Sequence, residues 1–207
     1  MGVIDLAVFL FFILTGLFAG YLFGSISCAI VVCRLLKLPD PRQQGSKNPG
    51  ATNVMRLGGK KAGLLTFAGD CLKGVIVILL ARLLTDNQWV IVAAALGAFI
   101  GHLYPLYFGF KGGKGVATYV GIITLLQPLS LVVFGLTWLL LTFTLGYVSV
   151  ASLVGALAVL LSAWWLGYTN AVLTLFVIMT GIMFIRHRQN IINLMNGTEN
   201  KIRRKQR

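Results

Sequence analysis

Long apolar stretches dominate this chain, and three polar, glycine-rich segments interrupt them. The first stretch, Leu6 to Phe23, continues through Gly24-Ser-Ile-Ser27 and predicts one helix reaching about Leu36, where Pro39 and Pro41 stop it. A polar stretch follows from Asp40 to Lys61. A second span is predicted from about Gly63 to Leu84 and a third from about Trp89 to Phe108, with the short turn Thr85-Asp-Asn-Gln88 between them. From Val116 to Ile185 the chain is almost continuously apolar. Weak breaks at Gln127-Pro128, Leu145-Gly146-Tyr147 and Trp165 to Asn170 divide it into four helices, about 116–126, 129–144, 147–165 and 170–185. A full crossing needs about 20 residues, so 116–126 is too short to span alone and reads as a half-helix starting inside the membrane at Gly112-Gly-Lys-Gly115.

The pattern predicts an all-α, polytopic integral membrane protein of about seven helices, one of them short. It reads as a single domain over 1–207 with a basic tail at 197–207. Composition agrees: of 207 residues, 57% are hydrophobic and only 11% are charged, against roughly 25% charged in soluble domains. Mean hydropathy is +0.87. Asp5 stands where a cleavable signal would be basic, and the apolar run from Leu6 is longer than a signal core, so a retained first span is expected.

Charge adds orientation. The net charge of +13 would suggest nucleic acid in a soluble protein. Here the cations sit between apolar runs, where the positive-inside rule accounts for them and no nucleic-acid partner is expected. Of the 18 cations, seven lie from Arg34 to Lys61, two are Lys111 and Lys114, and seven follow from Arg186. Two predicted spans separate the first polar segment from the second, and four separate the second from the third. Both numbers are even, so all three segments are expected at one face, with the N-terminus out and the C-terminus in. Lys73 falls inside a span three residues after Asp70; charges there are costly, and a structural pair is expected.

The polar segments are Ser46-Lys-Asn-Pro-Gly-Ala-Thr-Asn53, then Gly101-His-Leu-Tyr-Pro105 running into Phe110-Lys-Gly-Gly-Lys-Gly-Val-Ala-Thr118, then Arg186-His-Arg-Gln-Asn190 with Gly197 and Glu199. Their ingredients are glycine, amide, hydroxyl and cation, with almost no acid, which suits a phosphate. Gly50 lets backbone N–H groups approach an anion, and Arg56 has the planar fork for bidentate phosphate contact. Lys111-Gly-Gly-Lys-Gly115 opens a helix, whose N-terminus attracts anions. It is not a Walker A loop: Gly115 stands where Ser or Thr belongs, and Phe108 where the first glycine belongs. His187 and Asn190, at i and i+3, would share one helix face. Glu199 is the only acid of its segment and reads as a clamp on a nearby cation. The three cysteines form no Cys-x-x-Cys pair and His102 lies far in sequence from His187, so no metal is expected.

These segments resemble the three motifs of the PlsY family, the bacterial membrane glycerol-3-phosphate acyltransferases that take acyl phosphate as donor. The resemblance runs from Gly24-Ser25 to Lys201. It rests on Ser-x-Asn-x-Gly-Ala-Thr-Asn, Gly-His-x-x-Pro, Phe-Lys-Gly-Gly-Lys-Gly-Val-Ala-Thr, and Arg-His-x-x-Asn-Ile followed by Gly-x-Glu-x-Lys. It implies acyl transfer from acyl phosphate to the 1-hydroxyl of sn-glycerol 3-phosphate, giving lysophosphatidate and inorganic phosphate, the first acylation of phospholipid synthesis. It implies a seven-helix, cofactor-free enzyme of the bacterial inner membrane, with its active site at the cytoplasmic face; a monomer is expected. Carried over motif by motif, Ser46, Lys114, His187 and Asn190 are the catalytic candidates. Arg56, Asn48, Thr52, Asn53, Lys111, Gly113 and Glu199 are the substrate-phosphate candidates. Two other readings compete: an anion transporter, disfavoured by polar motifs on one side only, and the same acylation from acyl-CoA, for which no binding signature is visible.

Overall fold

The computed structural model describes residues 2–202, so Arg203, Arg204, Lys205 and Arg207 of the expected tail lie outside the described residues. Every regular element among the described residues is helical, and the contacts divide the chain into two compact units, Met1–Leu126 and Gln127–Arg207. The expected seven apolar runs are all present as helices.

The first unit holds α1 (Val3–Gly24), α2 (Cys28–Leu35), α3 (Ala51–Leu84), α4 (Gln88–Leu103), a 3-10 turn (Leu106–Phe108) and α5 (Val116–Leu126). The helix expected to run unbroken to Leu36 instead breaks at 25–27, and Ser27 begins α2 in an extended conformation. The break leaves the carbonyls of Gly24 and Ile26 pointing at the ammonium of Lys73, at 3.1 and 2.8 Å. A second difference lies in α3, which begins at Ala51 rather than near Gly63. Gly59 (φ 79°, ψ −178°) interrupts it in a backbone region that is essentially glycine's alone. The 51–58 turn therefore carries part of the first polar segment as helix.

Small residues build the core of this unit. α4 buries twelve of its residues, whereas α1 buries only Gly20 and Gly24 and presents Phe11, Leu14 and Phe18 outward. The two helices meet backbone to backbone: a Cβ on Gly20 or Gly24 would overlap the carbonyls of Ala94 or Ala98, and one on Gly97 or Gly101 those of Leu17 or Tyr21. Lipid gives no hydrophobic incentive for helices to associate, so close backbone approach and dispersion supply the attraction. α3 meets α5 likewise, with Gly121 against the Cys71 carbonyl.

The second unit holds α6 (Pro128–Leu145), α7 (Val148–Trp165), α8 (Asn170–Arg186) and α9 (Arg188–Met195). Pro128 starts α6 at the position where its missing N–H is harmless, and Gly146 (φ 80°) ends it. α6 packs on α7, where Gly155 receives the Phe134 ring. α8 and α9 are bent by 55° at His187. By length and composition five helices suffice to cross a membrane, counting Val3–Leu35 as one, or six if α8 and α9 form one bent span; α5, at 11 residues, is shorter, as expected. This is a polytopic, all-α integral membrane architecture.

Gly20→Leu should lower the thermal midpoint of the detergent-solubilised chain, since overpacking a close seam costs about 1–3 kcal/mol. Gly135→Ala, where nothing lies within 4 Å, should be neutral or stabilise by up to about 1 kcal/mol. Equal midpoints for Gly20→Leu and wild type would show that the α1–α4 seam is not held by close approach.

Candidate functional site

In the first unit two polar segments meet. The 40–50 loop is tied down by Asn53, which is buried and lies on the first turn of α3. Its Oδ1 accepts the Ser46 N–H at 2.9 Å, and its Nδ2 donates to the carbonyls of Pro41 and Gln44 at 2.9 and 3.0 Å. Asn53 was expected among phosphate ligands; here its amide is engaged in shaping the loop. The loop that results leaves Ser46 and Arg56 exposed, with Asn48 and Thr52 half-buried. Gly50 caps α3, with its carbonyl accepting from the N–H groups of Asn53 and Val54.

The second segment lies against the first. A Cβ on Gly113 would stand 3.2 Å from the Pro49 carbonyl and would overlap the His102 imidazole. The Gly113 N–H donates to the His102 carbonyl at 3.2 Å. Gly115 (φ 90°) then turns the chain into α5, where any side chain would strike the Phe99 ring. Gly112, Gly113 and Gly115 are buried, Lys114 is half-buried and Lys111 is exposed. A cationic loop thus sits directly before a helix N-terminus, where dipole and backbone N–H groups favour an anion.

Arg42 latches the two segments together. It pairs with Asp40 (2.6 Å) and donates from Nη1 to the Phe108 carbonyl at 3.0 Å, while the Arg34 guanidinium lies 5.7 Å from the centre of the Phe108 ring. Hydrogen bonds from Arg42 hold the Asp40 carboxyl below the usual carboxylate range, against the opposing effect of partial burial.

Beneath the glycine loop lies a buried group of charges. Lys73 Nζ is 2.9 Å from Asp70 Oδ1, as expected, and 3.2 Å from His102 Nδ1; Asp70 Oδ1 is 3.5 Å from that nitrogen. Sequence reasoning missed His102 because 32 residues separate it from Asp70. The available signal was a mid-span lysine that one carboxylate cannot satisfy.

The third segment lies in the second unit. The helix expected to carry His187 and Asn190 on one face breaks at His187, which ends α8 and starts α9. His187 is buried, and its Nδ1–H donates to the Met183 carbonyl at 2.8 Å. Among the described residues, Glu199 pairs with no cation. Its Oε1 accepts from the Ser149 hydroxyl at 2.6 Å and the Asn190 amide at 2.7 Å. These contacts make it a brace for the Asn190 amide. Ser149, on α7, was not anticipated. The chain after α9 is further pinned by Ile202 N–H on the Gly146 carbonyl and by Lys201 over the Tyr147 ring.

Residues 14–197 match the family model described as glycerol-3-phosphate acyltransferase. Over 183 residues, 88% of this chain and 93% of the relative, the sequence is 48% identical to the glycerol-3-phosphate acyltransferase of Halorhodospira halophila. It is 44% identical to that of Legionella pneumophila strain Corby, over 96% of this chain and 70% of the relative. Among solved structures it resembles PlsY (YgiH), an integral membrane glycerol 3-phosphate acyltransferase. The glycerol 3-phosphate form matches with a TM-score of 0.87 at 38% identity, covering 92% of this chain and 96% of that one. The lysophosphatidic acid form matches with a TM-score of 0.85 at 37% identity, over 92% and 95%.

Asp40→Asn should weaken the latch in a pH-dependent way. A carboxyl whose folded pKa is depressed contributes stability above its unfolded value and loses it as pH falls through the folded one. Thermal midpoints of wild type and Asp40→Asn should therefore differ at pH 7 and converge from about pH 4 downward. A gap independent of pH would mean that the Asp40 charge is not what holds Arg42.

Proposed function

We propose that this chain, which belongs to the glycerol-3-phosphate acyltransferase family, transfers an acyl group from acyl phosphate to the 1-hydroxyl of sn-glycerol 3-phosphate. The observation that carries the reading is the glycine loop of Gly112, Gly113 and Gly115, seated against the first polar segment and opening α5. It supplies cations and backbone N–H groups, and no carboxylate, for a phosphate. The family membership and the likeness to PlsY in its substrate-bound and product-bound forms support the acceptor.

In the reaction the 1-hydroxyl oxygen attacks the acyl carbonyl carbon. A carbon–oxygen ester bond forms, the bond from that carbon to the phosphate oxygen breaks, and the hydroxyl proton leaves with the product as hydrogen phosphate. An acyl phosphate is a mixed anhydride and is already activated, so no covalent enzyme intermediate is required. Both substrates are anions. Arg56 and Lys114 hold their phosphates and offset the charge that grows on the departing one. Ser46, Asn48, Thr52 and Lys111 complete the phosphate contacts, and Gly113, whose N–H is held by the His102 carbonyl, shapes the loop around them. Asn190, braced by Glu199, is assigned to the glycerol backbone, and His187, whose Nδ1 is held by the Met183 carbonyl, to the attacking hydroxyl through Nε2. We place the enzyme in the bacterial inner membrane with seven helices, the N-terminus out, the C-terminus in and the motifs at the cytoplasmic face, because cations gather in the three polar segments. We take it to act as a monomer.

Purified chain given acyl phosphate and glycerol 3-phosphate should release one phosphate per lysophosphatidate formed. Comparable turnover from acyl-CoA alone would refute the donor while leaving the acylation. Arg56→Lys keeps the charge but not the fork, so kcat/KM should fall about tenfold to a hundredfold, the equivalent of a lost charge-assisted contact. Lys114→Ala should do the same, and near-native kinetics in both would move the phosphate site elsewhere.

A further inference from the structure

The two histidines of this chain are held by partners of opposite chemistry. A backbone carbonyl has no proton to give, so the Met183 oxygen, 2.8 Å from His187 Nδ1, requires the proton on that nitrogen. A lysine ammonium has no lone pair to offer. Lys73 Nζ has three N–H bonds, and the Gly24 carbonyl, the Ile26 carbonyl and His102 Nδ1 lie at 3.1, 2.8 and 3.2 Å. Asp70, at 2.9 Å, supplies the compensating charge. A proton on His102 Nδ1 would point into that ammonium, and the Asp70 oxygen at 3.5 Å is too far to draw it away. The His102 proton therefore belongs on Nε2.

That nitrogen faces the glycine loop. It occupies the space that a Gly113 side chain would need, and the carbonyl of the same residue receives the Gly113 N–H. We infer that Lys73, charge-compensated by Asp70, is a positioning residue that fixes His102 as the Nε2–H tautomer under the glycine loop, while Met183 fixes His187 as the Nδ1–H tautomer. His102 is then a donor at the seat of the loop, and His187 an acceptor. The three buried side chains hold the loop in its anion-receiving shape through His102 and touch no substrate themselves. The kinetic consequence rests on the loop being the phosphate seat proposed above; the tautomers do not.

Two-bond proton–nitrogen correlation on the intact chain, labelled with nitrogen-15 histidine in detergent at pH 8, reads both rings directly. His187→Gln assigns the remaining signal to His102. The expected result is Nε2–H for His102 and Nδ1–H for His187 in the wild type. A His102 signal that is Nδ1–H, or an even mixture, overturns the assignment even if the chain is fully active. For the loop, Lys73→Met combined with Asp70→Asn removes the pair without leaving a lone charge. It should release the His102 tautomer and raise KM for glycerol 3-phosphate or acyl phosphate about tenfold, with a smaller change in kcat. His102→Gln, whose amide N–H falls near the Nε2 position, should retain about tenfold lower KM than His102→Asn. Equal KM in those two variants overturns the donor role, and a fixed tautomer in the Lys73/Asp70 double variant overturns the role of Lys73. Should the chain fail to make lysophosphatidate at all, the function is wrong, and the tautomer spectra still decide this inference.

Discussion

A buried ammonium has to be surrounded by acceptors, and much of the first unit is arranged around meeting that demand for Lys73. One carboxylate, Asp70, neutralises it. Two more acceptors come from the broken helix between α1 and α2, whose carbonyls at Gly24 and Ile26 have lost their places in an i to i+4 ladder. The cation and the break satisfy each other: a continuous helix would leave the lysine short of partners, and an apolar residue at 73 would leave two carbonyls without their ammonium partner. The fourth neighbour is His102, and through it the arrangement reaches the glycine loop above.

The apolar pattern made the helices legible because membrane spans are set by length, and their ends by glycine, proline and polar turns. Gln127-Pro128 and Gly146 are local signals, so α5, α6, α7 and α8 begin and end within a residue or so of expectation. The break at 25–27 was not legible. Its sequence, Gly-Ser-Ile-Ser, is compatible with a helix, and what opens it is a side chain 47 to 49 residues away. The bend at His187 was hidden as well, since nothing in Arg-His-Arg-Gln forbids helix.

The candidate site divides along similar lines. Residue types pointed to a phosphate, because glycine and cation without acid suit few other ligands. They did not separate the residues that face a ligand from those that shape the loop. Asn53 and Glu199 belong to the same motifs as Ser46 and Asn190, yet one closes a loop through three hydrogen bonds and the other braces an amide and a hydroxyl. That distinction depends on burial and on partners distant in sequence, as for Ser149 and Glu199.

The glycine at position 59 has a mechanical corollary. Its φ of 79° interrupts the hydrogen-bond ladder of α3, and nothing lies within 4 Å of where its side chain would be. The chain folds back on itself at this point: a Cβ on Gly63 would stand 2.6 Å from Met55 and 3.1 Å from the Ala51 carbonyl, and Val54 and Ala62 share one buried cluster. The short arm that carries Thr52, Asn53 and Arg56 is thereby braced against the long apolar arm. A change in the tilt of that arm carries the polar surface with it.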